Sequence, residues 1–261
     1  MLWTDRIRCW LPFFGVWMIS VALLQGCPNA KIHERAKFLH DRGLLLLQQD
    51  KLELAEESFK AALEYDARFK QALNSLGLLA VRKGKLKKAE TLFKQALAID
   101  SNFANARGNL GYVYFQYKDY PKSIQLNLSA LQIEPALHDA RYNLSLAYFY
   151  TRDFKNARKH LVRLLLYDPN HVNAHFVLSS IEFERKNYKQ AAQHAIRAAQ
   201  IDRNHKRAYE VLCKSFYHLG QYKISCQQCK QIVRIDPEDP IGKTLVDIVH
   251  KKLQETGESC Q

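Results

Sequence analysis

The stretch from Ala104 to Leu137, ANARGNLGYVYFQYKDYPKSIQLNLSALQIEPAL, decides the fold. Leu110, Gly111, Tyr114 and Phe115 recur at helical spacing and predict an amphipathic helix over Asn105–Gln116. Lys118-Asp119-Tyr120-Pro121 interrupts that pattern. Ser123, Ile124, Asn127, Ala130 and Leu131 form a second stripe over Lys122–Ile133. Glu134-Pro135 ends it, because the residue before a proline is biased away from the α region. The unit is a pair of antiparallel helices.

The unit repeats. Gly43, Gly77, Gly111, Ser145, Ser179 and Cys213 stand 34 residues apart. Ala55, Ala89, Ser123, Ala157, Ala191 and Ser225 do the same, and so does an acidic series, Asp66, Asp100, Glu134, Asp168, Asp202 and Asp236. A fixed period of this size marks a solenoid. The small residues fall where the paired helices must touch, since a large side chain there would hold the backbones apart. Leu52, Leu86, Tyr120, Phe154, Tyr188 and Tyr222 lie between the helices and are expected to plug the open end of each hairpin.

With Leu76-Gly77, Ala89, Phe93 and Ala96 in the second unit, Leu110-Gly111, Tyr114 and Pro135 in the third, and Leu144, Tyr148, Ala157 and Pro169 in the fourth, the chain resembles the tetratricopeptide repeat family. That resemblance implies an all-α, right-handed α-solenoid of six helix-turn-helix repeats over 36–69, 70–103, 104–137, 138–171, 172–205 and 206–239. Arg107 and Arg141 replace a bulky apolar residue, Asn127 an aromatic and Glu182 a tyrosine, so units five and six are expected to be less regular than the middle. Asp239-Pro240 reads as an N-cap followed by proline at the first helical position. Ile241, Leu245, Ile248, Val249 and Leu253 then give a capping helix over 240–254, which closes the last apolar face. The tail at 255–261 is expected to be loose.

The 261 residues are 47% hydrophobic, with only 10 Gly and 7 Pro and no linker-like segment, which fits one extended helical domain. Lys and Arg number 39 against 26 acidic residues, a net +13. That balance favours anionic partners. No arginine-rich helix or aromatic nucleotide platform accompanies it, so nucleic acid is not expected, and a solvated outer face accounts for the charge. Neither an HExxH, GxSxG nor GxGxxG motif occurs. Gly242-Lys243-Thr244 lacks the upstream glycine and strand of a phosphate loop. No catalytic residue, cofactor or small-molecule substrate is therefore assigned, and the chain is not expected to be an enzyme.

The amino terminus sets an address. Arg6 and Arg8 precede an apolar run from Trp10 to Leu24, followed by Leu24-Gln25-Gly26-Cys27. A basic start, an apolar core and a small residue before the cut describe a secretory signal over 1–26. Gly26-Cys27, with Leu24 ahead of it, resembles the bacterial lipoprotein box; Gln25 is a mild departure. The resemblance implies a diacylglyceryl thioether on Cys27 and an acyl chain of the palmitate kind on its amine, with 27–35 as a tether and the membrane as a partner. Several chains anchor stably, since each buried CH₂ contributes about 0.8 kcal/mol. The alternative is an uncleaved membrane helix, for which the run is short.

Three further cysteines, Cys213, Cys226 and Cys229, fall in the sixth unit, and Cys260 in the tail. Cys226-Gln-Gln-Cys229 lies inside an expected helix with no βαβ context, which favours buried small residues over a redox or zinc motif. A Cys213–Cys229 disulfide in an oxidising compartment is the other reading. His171 and His175 have a metal-ligand spacing, but His171 precedes its helix, and no metal site is assigned.

By resemblance to the repeat family, the first helix of each unit lines an inner groove. Its expected members are Asn105, Asn109, Tyr112 and Phe115; Asp139, Tyr142, Asn143, Leu146 and Phe149; and Asn173, Phe176 and Phe183, with Gln116, Tyr150 and Ser180 beside them. Aromatic side chains dominate binding hot spots. Asn109 and Asn143 occupy equivalent places, and a carboxamide both donates to and accepts from a peptide backbone. Leu44, Leu78, Tyr112 and Leu146 stand where a carboxylate clamp would need cations, so a mixed aromatic and polar groove for a protein or peptide is expected. Signal and repeats together resemble the type IV pilus pilotins, lipoproteins that assist a secretin at the outer membrane. That resemblance implies an envelope adaptor. An envelope scaffold recruiting peptidoglycan-remodelling enzymes and a periplasmic peptide-holding chaperone are the alternatives.

Overall fold

The computed structural model describes residues 28–260. The signal segment and Cys27 lie outside them. Thirteen α-helices follow: α1 Pro28–Gln48, α2 Leu52–Tyr65, α3 Lys70–Arg82, α4 Leu86–Ile99, α5 Ala104–Gln116, α6 Tyr120–Ile133, α7 His138–Tyr150, α8 Phe154–Tyr167, α9 Val172–Glu184, α10 Tyr188–Ile201, α11 Lys206–His218, α12 Tyr222–Ile235 and α13 Pro240–Glu255. Odd-numbered helices up to α11 are the first (A) helices of their units, even-numbered ones the second (B). The fold is an α-solenoid. Residues 28–35, expected as a tether, form the first two turns of α1, which packs along α2 as one continuous helix.

Volume complementarity joins A to B within each unit. A Cβ placed on Gly43 would run into the Phe59 ring, one on Gly77 into Phe93, and one on Gly111 into the Asn127 amide. Each pair is separated by 16 residues. At the equivalent positions lie Ser145 with Leu161 and Ser179 with Ala195, all fully buried. In the sixth unit the pair is Cys213 and Cys229, and it is a disulfide with Cα atoms 5.2 Å apart. Of the two readings open for these sulfurs, the bonded one holds, and both are buried. Asn127 compensates for the lost aromatic by donating its amide to the Ser123 carbonyl at 2.9 Å.

The turns repeat as strictly as the cores. Asp50, Gly84, Lys118, Arg152, Lys186 and Gly220 all have φ between +56 and +73°, at intervals of 34. Each ends its A helix in the left-handed conformation. In unit three the Lys118 and Asp119 amides donate to the Phe115 and Tyr114 carbonyls at 2.9 Å each, which satisfies the helix end. The acidic series has its own cause. Asp66, Asp100, Asp168, Asp202 and Asp236 each accept, through Oδ1, the amide two residues on. Such Asx turns reverse the chain between units.

The irregular positions find local partners, although Arg107 Nε, Arg141 Nε and Asn127 Oδ1 stay unpaired among the described residues. The Arg107 and Arg141 guanidiniums donate to the Ser101 and Pro135 carbonyls. Glu182, fully buried where tyrosine is usual, accepts from Asn187 Nδ2 at 2.8 Å and pairs with Arg158 Nε at 3.2 Å. The tail differs from expectation. A second disulfide joins Cys260 to Cys226, and Lys230 Nζ donates to the Cys260 carbonyl at 3.1 Å, so the segment is pinned to the last unit and the cap. The two cysteines stand 34 residues apart, one repeat length, but no seventh hairpin follows to turn that spacing into a helix contact.

Gly77→Ala is expected to lower stability by about 1–3 kcal/mol through overpacking on Phe93. The double change Gly77→Ser with Phe93→Leu, which copies the Ser145–Leu161 pair, should recover part of it in thermal melts. Gly84→Ala meets no neighbouring atom and should cost only the left-handed backbone penalty, about 1–2 kcal/mol. His160 gives a pH dependence. Burial, and then the Arg141, Lys159 and Arg163 cations, lower its pKa to about 4. Between 6.5 and 4 the unfolded chain binds the extra proton and the folded one does not, so stability falls as pH falls through that window. His160→Gln should flatten the decline in melting temperature there.

Candidate functional site

Consecutive A helices from α3 to α11, and then α13, pack on one another, whereas consecutive B helices stay apart among the described residues. The stack therefore bends around its A helices, which line the inner side. Asn105, Asp139 and Asn173, one in the first turn of each of α5, α7 and α9, are exposed and form a polar row. Behind them, half-buried, lie Asn109, Tyr112 and Phe115 on α5, Tyr142, Asn143, Leu146 and Phe149 on α7, and Phe176 and Phe183 on α9.

Several rings are also joints between units. Tyr142 meets His171 with centroids 5.0 Å apart, and Phe176 meets His205 at 5.1 Å. These histidines cap the next A helices: His171 Nδ1 accepts the Ala174 amide and His205 Nδ1 the Ala208 amide, each at 3.1 Å. Each acceptor bond leaves the proton of the neutral imidazole on Nε2. The first unit repeats the contact, with His40 against Phe69 at 5.4 Å. Burial pushes the Tyr142 hydroxyl up to about 12, so it stays a neutral donor.

At the turn side, Phe115 packs on Tyr120 at 5.6 Å and on Tyr150 at 5.5 Å, and Tyr120 stacks on Tyr150 at 5.4 Å. Phe183, Tyr188 and His218 form the same triangle two units later, with Tyr188 stacked on His218 at 4.5 Å. Phe149 lies 5.9 Å from Phe154. Tyr120 and Tyr188, expected to plug their hairpins, thus also bridge to the following unit.

Asn109 donates through Nδ2 to Asn74 Oδ1 at 2.9 Å, so the amide pair runs backward to α3. Asn74, Tyr120, His171, His205 and His218 escaped sequence reasoning as groove members. His171 and His205 carried a signal, being 34 apart, but the ring contacts between units join residues 29 to 35 apart on different helices and need coordinates. His175, which had a ligand spacing to His171, contacts the Pro169 carbonyl at 3.0 Å.

A tetratricopeptide repeat model matches residues 40–102 and 142–207. These two segments carry tetratricopeptide repeats. The matched parts include all of unit five and leave out unit three and nearly all of unit six, so the expected irregularity holds for unit six and not for unit five; Arg107 and Asn127, both in unit three, are the departures that displace an apolar and an aromatic consensus residue there. Among solved structures, PilF of Pseudomonas aeruginosa superposes with a TM-score of 0.75 at 20% identity, over 84% of this chain and 99% of that one. PilW, described as a widely conserved type IV pilus biogenesis factor, superposes with 0.72 at 17% identity, over 81% and 98%. YrrB, a repeat protein with an unusual peptide-binding site, gives 0.60 at 18% identity, over 72% and 97%. No curated protein matches the chain. The fold is that of a protein-interaction scaffold.

Phe176 packs against two adjacent cores, one built on Leu161, Leu164 and Ile181 and the other on Ala195, Ala198 and Leu212. Phe176→Ala should cost about 2–3 kcal/mol in denaturant titrations. Tyr142→Phe keeps the ring against His171 and should leave stability within about 0.5 kcal/mol.

Proposed function

We propose that this chain is a lipid-anchored adaptor of the bacterial envelope, facing the periplasm from the outer membrane, that assists type IV pilus assembly by holding a segment of a protein partner, a secretin, in its inner groove. The observation that carries the reading is a coincidence: the Leu24–Cys27 lipoprotein box stands in front of a solenoid that superposes on nearly the full length of PilF and of PilW, a type IV pilus biogenesis factor. The groove supports it, because half-buried rings backed by rigid units offer apolar area at low entropic cost, and the row of Asn105, Asp139 and Asn173 offers backbone-directed polar groups. Acyl chains on Cys27 would confine the groove to the membrane surface. Confinement raises the effective concentration of the bound segment without any new contact.

Two measurements test this. Cells grown with labelled fatty acid should incorporate label into the mature protein, and Cys27→Ser should abolish it; an unlabelled mature protein refutes the anchor. A photo-crosslinker placed in the exposed polar row, at Asn105 or Asn173, should trap one outer-membrane partner, and Tyr142→Ala with Phe176→Ala should reduce the yield about tenfold or more. Trapping of many unrelated unfolded chains would instead point to the peptide-holding chaperone.

A further inference from the structure

The densest set of reactive side chains outside the groove lies where α12, α13 and the tail meet. Cys226 on α12, His250 on α13 and Cys260 in the tail bring their donor atoms within 4.8 Å of one another. Cys226 is buried and the other two are half-buried. Cys226 and the helix carrying His250 are held by one apolar cluster that includes Ile232, Val249 and Leu253. Lys230 holds the backbone beside Cys260.

We propose that the dithiol form of this protein binds a soft d¹⁰ divalent cation, with Zn²⁺ as the probe, through Cys226 Sγ, Cys260 Sγ and the His250 imidazole. Two thiolates and an imidazole are a preferred zinc donor set. Bond lengths of about 2.3 Å to sulfur and about 2.0 Å to nitrogen place tetrahedral donors about 3.5–4 Å apart, so the gathered groups need only side-chain rotation. Two thiolates also neutralise the ion, which leaves no net charge in a half-buried site. Three protein ligands leave the fourth position to water. The site is not the Cys226–Cys229 pair, because the Cys229 sulfur faces Cys213 and is not among the three gathered donors.

The same two sulfurs form the Cys226–Cys260 disulfide, so metal and disulfide exclude each other. Metal binding releases two thiol protons and forms two Zn–S bonds. Disulfide closure passes two electrons to an oxidising disulfide, whose sulfurs take up the two protons. A newly made chain begins in the dithiol state and needs no reductant to reach the metal-bound form. The proposal does not depend on the adaptor reading.

The test uses the full chain in detergent, reduced with a phosphine and freed of metal without oxygen. It should bind Zn²⁺ in a chromophoric competition assay, and Co²⁺ should give a thiolate charge-transfer band. His250→Ala and Cys260→Ser should each weaken Zn²⁺ binding about tenfold or more, with circular dichroism checking the fold. Cys213→Ser with Cys229→Ser should leave it unchanged, and the oxidised protein should lose it. Binding that survives His250→Ala, needs Cys213 and Cys229, or persists after oxidation overturns the proposal, as does a reduced protein that takes up no metal. His250→Ala alone decides the matter should Cys260→Ser disturb the fold.

Discussion

Everything in this molecule depends on how closely the two helices of a unit can approach. The approach is set at one pair of positions 16 residues apart, where the volumes on the two helices trade against each other: nothing against a phenyl ring in the first two units, a hydroxyl against leucine in the fourth, two sulfurs joined by a bond in the sixth. Interiors are packed densely enough that one methyl group is felt. A solenoid meets this constraint in every unit and has no central core to absorb an error. Local failures therefore stay local, yet each one changes the angle handed to the next unit.

The inner rings inherit that logic. Tyr142 and Phe176 each touch the histidine that caps the next A helix, and Phe115 and Phe183 close triangles that span units. A partner lying along the groove would press on the same side chains that fix the spacing of neighbouring units. Recognition and curvature are then not separable properties, and removal of a ring acts on both. The exposed row of Asn105, Asp139 and Asn173 is free of this coupling.

Much of the fold was legible because its causes are periodic. The small residues, the acidic turn residues and the aromatic plugs each repeat at 34, and each repeat has one physical reason: close helix contact, an Asx turn, a capped hairpin. Left-handed turns were harder to read, since Asp50, Lys118, Arg152 and Lys186 occupy them without the glycine that would advertise the conformation. The groove was legible as a set of helix faces, but not as a set of contacts. Asn109 finds Asn74, and Tyr188 finds His218, through side-chain reach between helices, which no single-helix pattern encodes. The Cys226–Cys260 bond was hidden for a similar reason: its separation equals the repeat, but Cys260 lies past the last helix, where the repeat no longer dictates what meets what.

Within the described residues the first helix runs unbroken from Pro28 into the first unit. Its 21 residues make a rod about 30 Å long. Any load applied at the outer end of this rod acts on a stiff boom rather than through a leash: tilting that end swings the entire array, and the heading of the groove follows the heading of the rod.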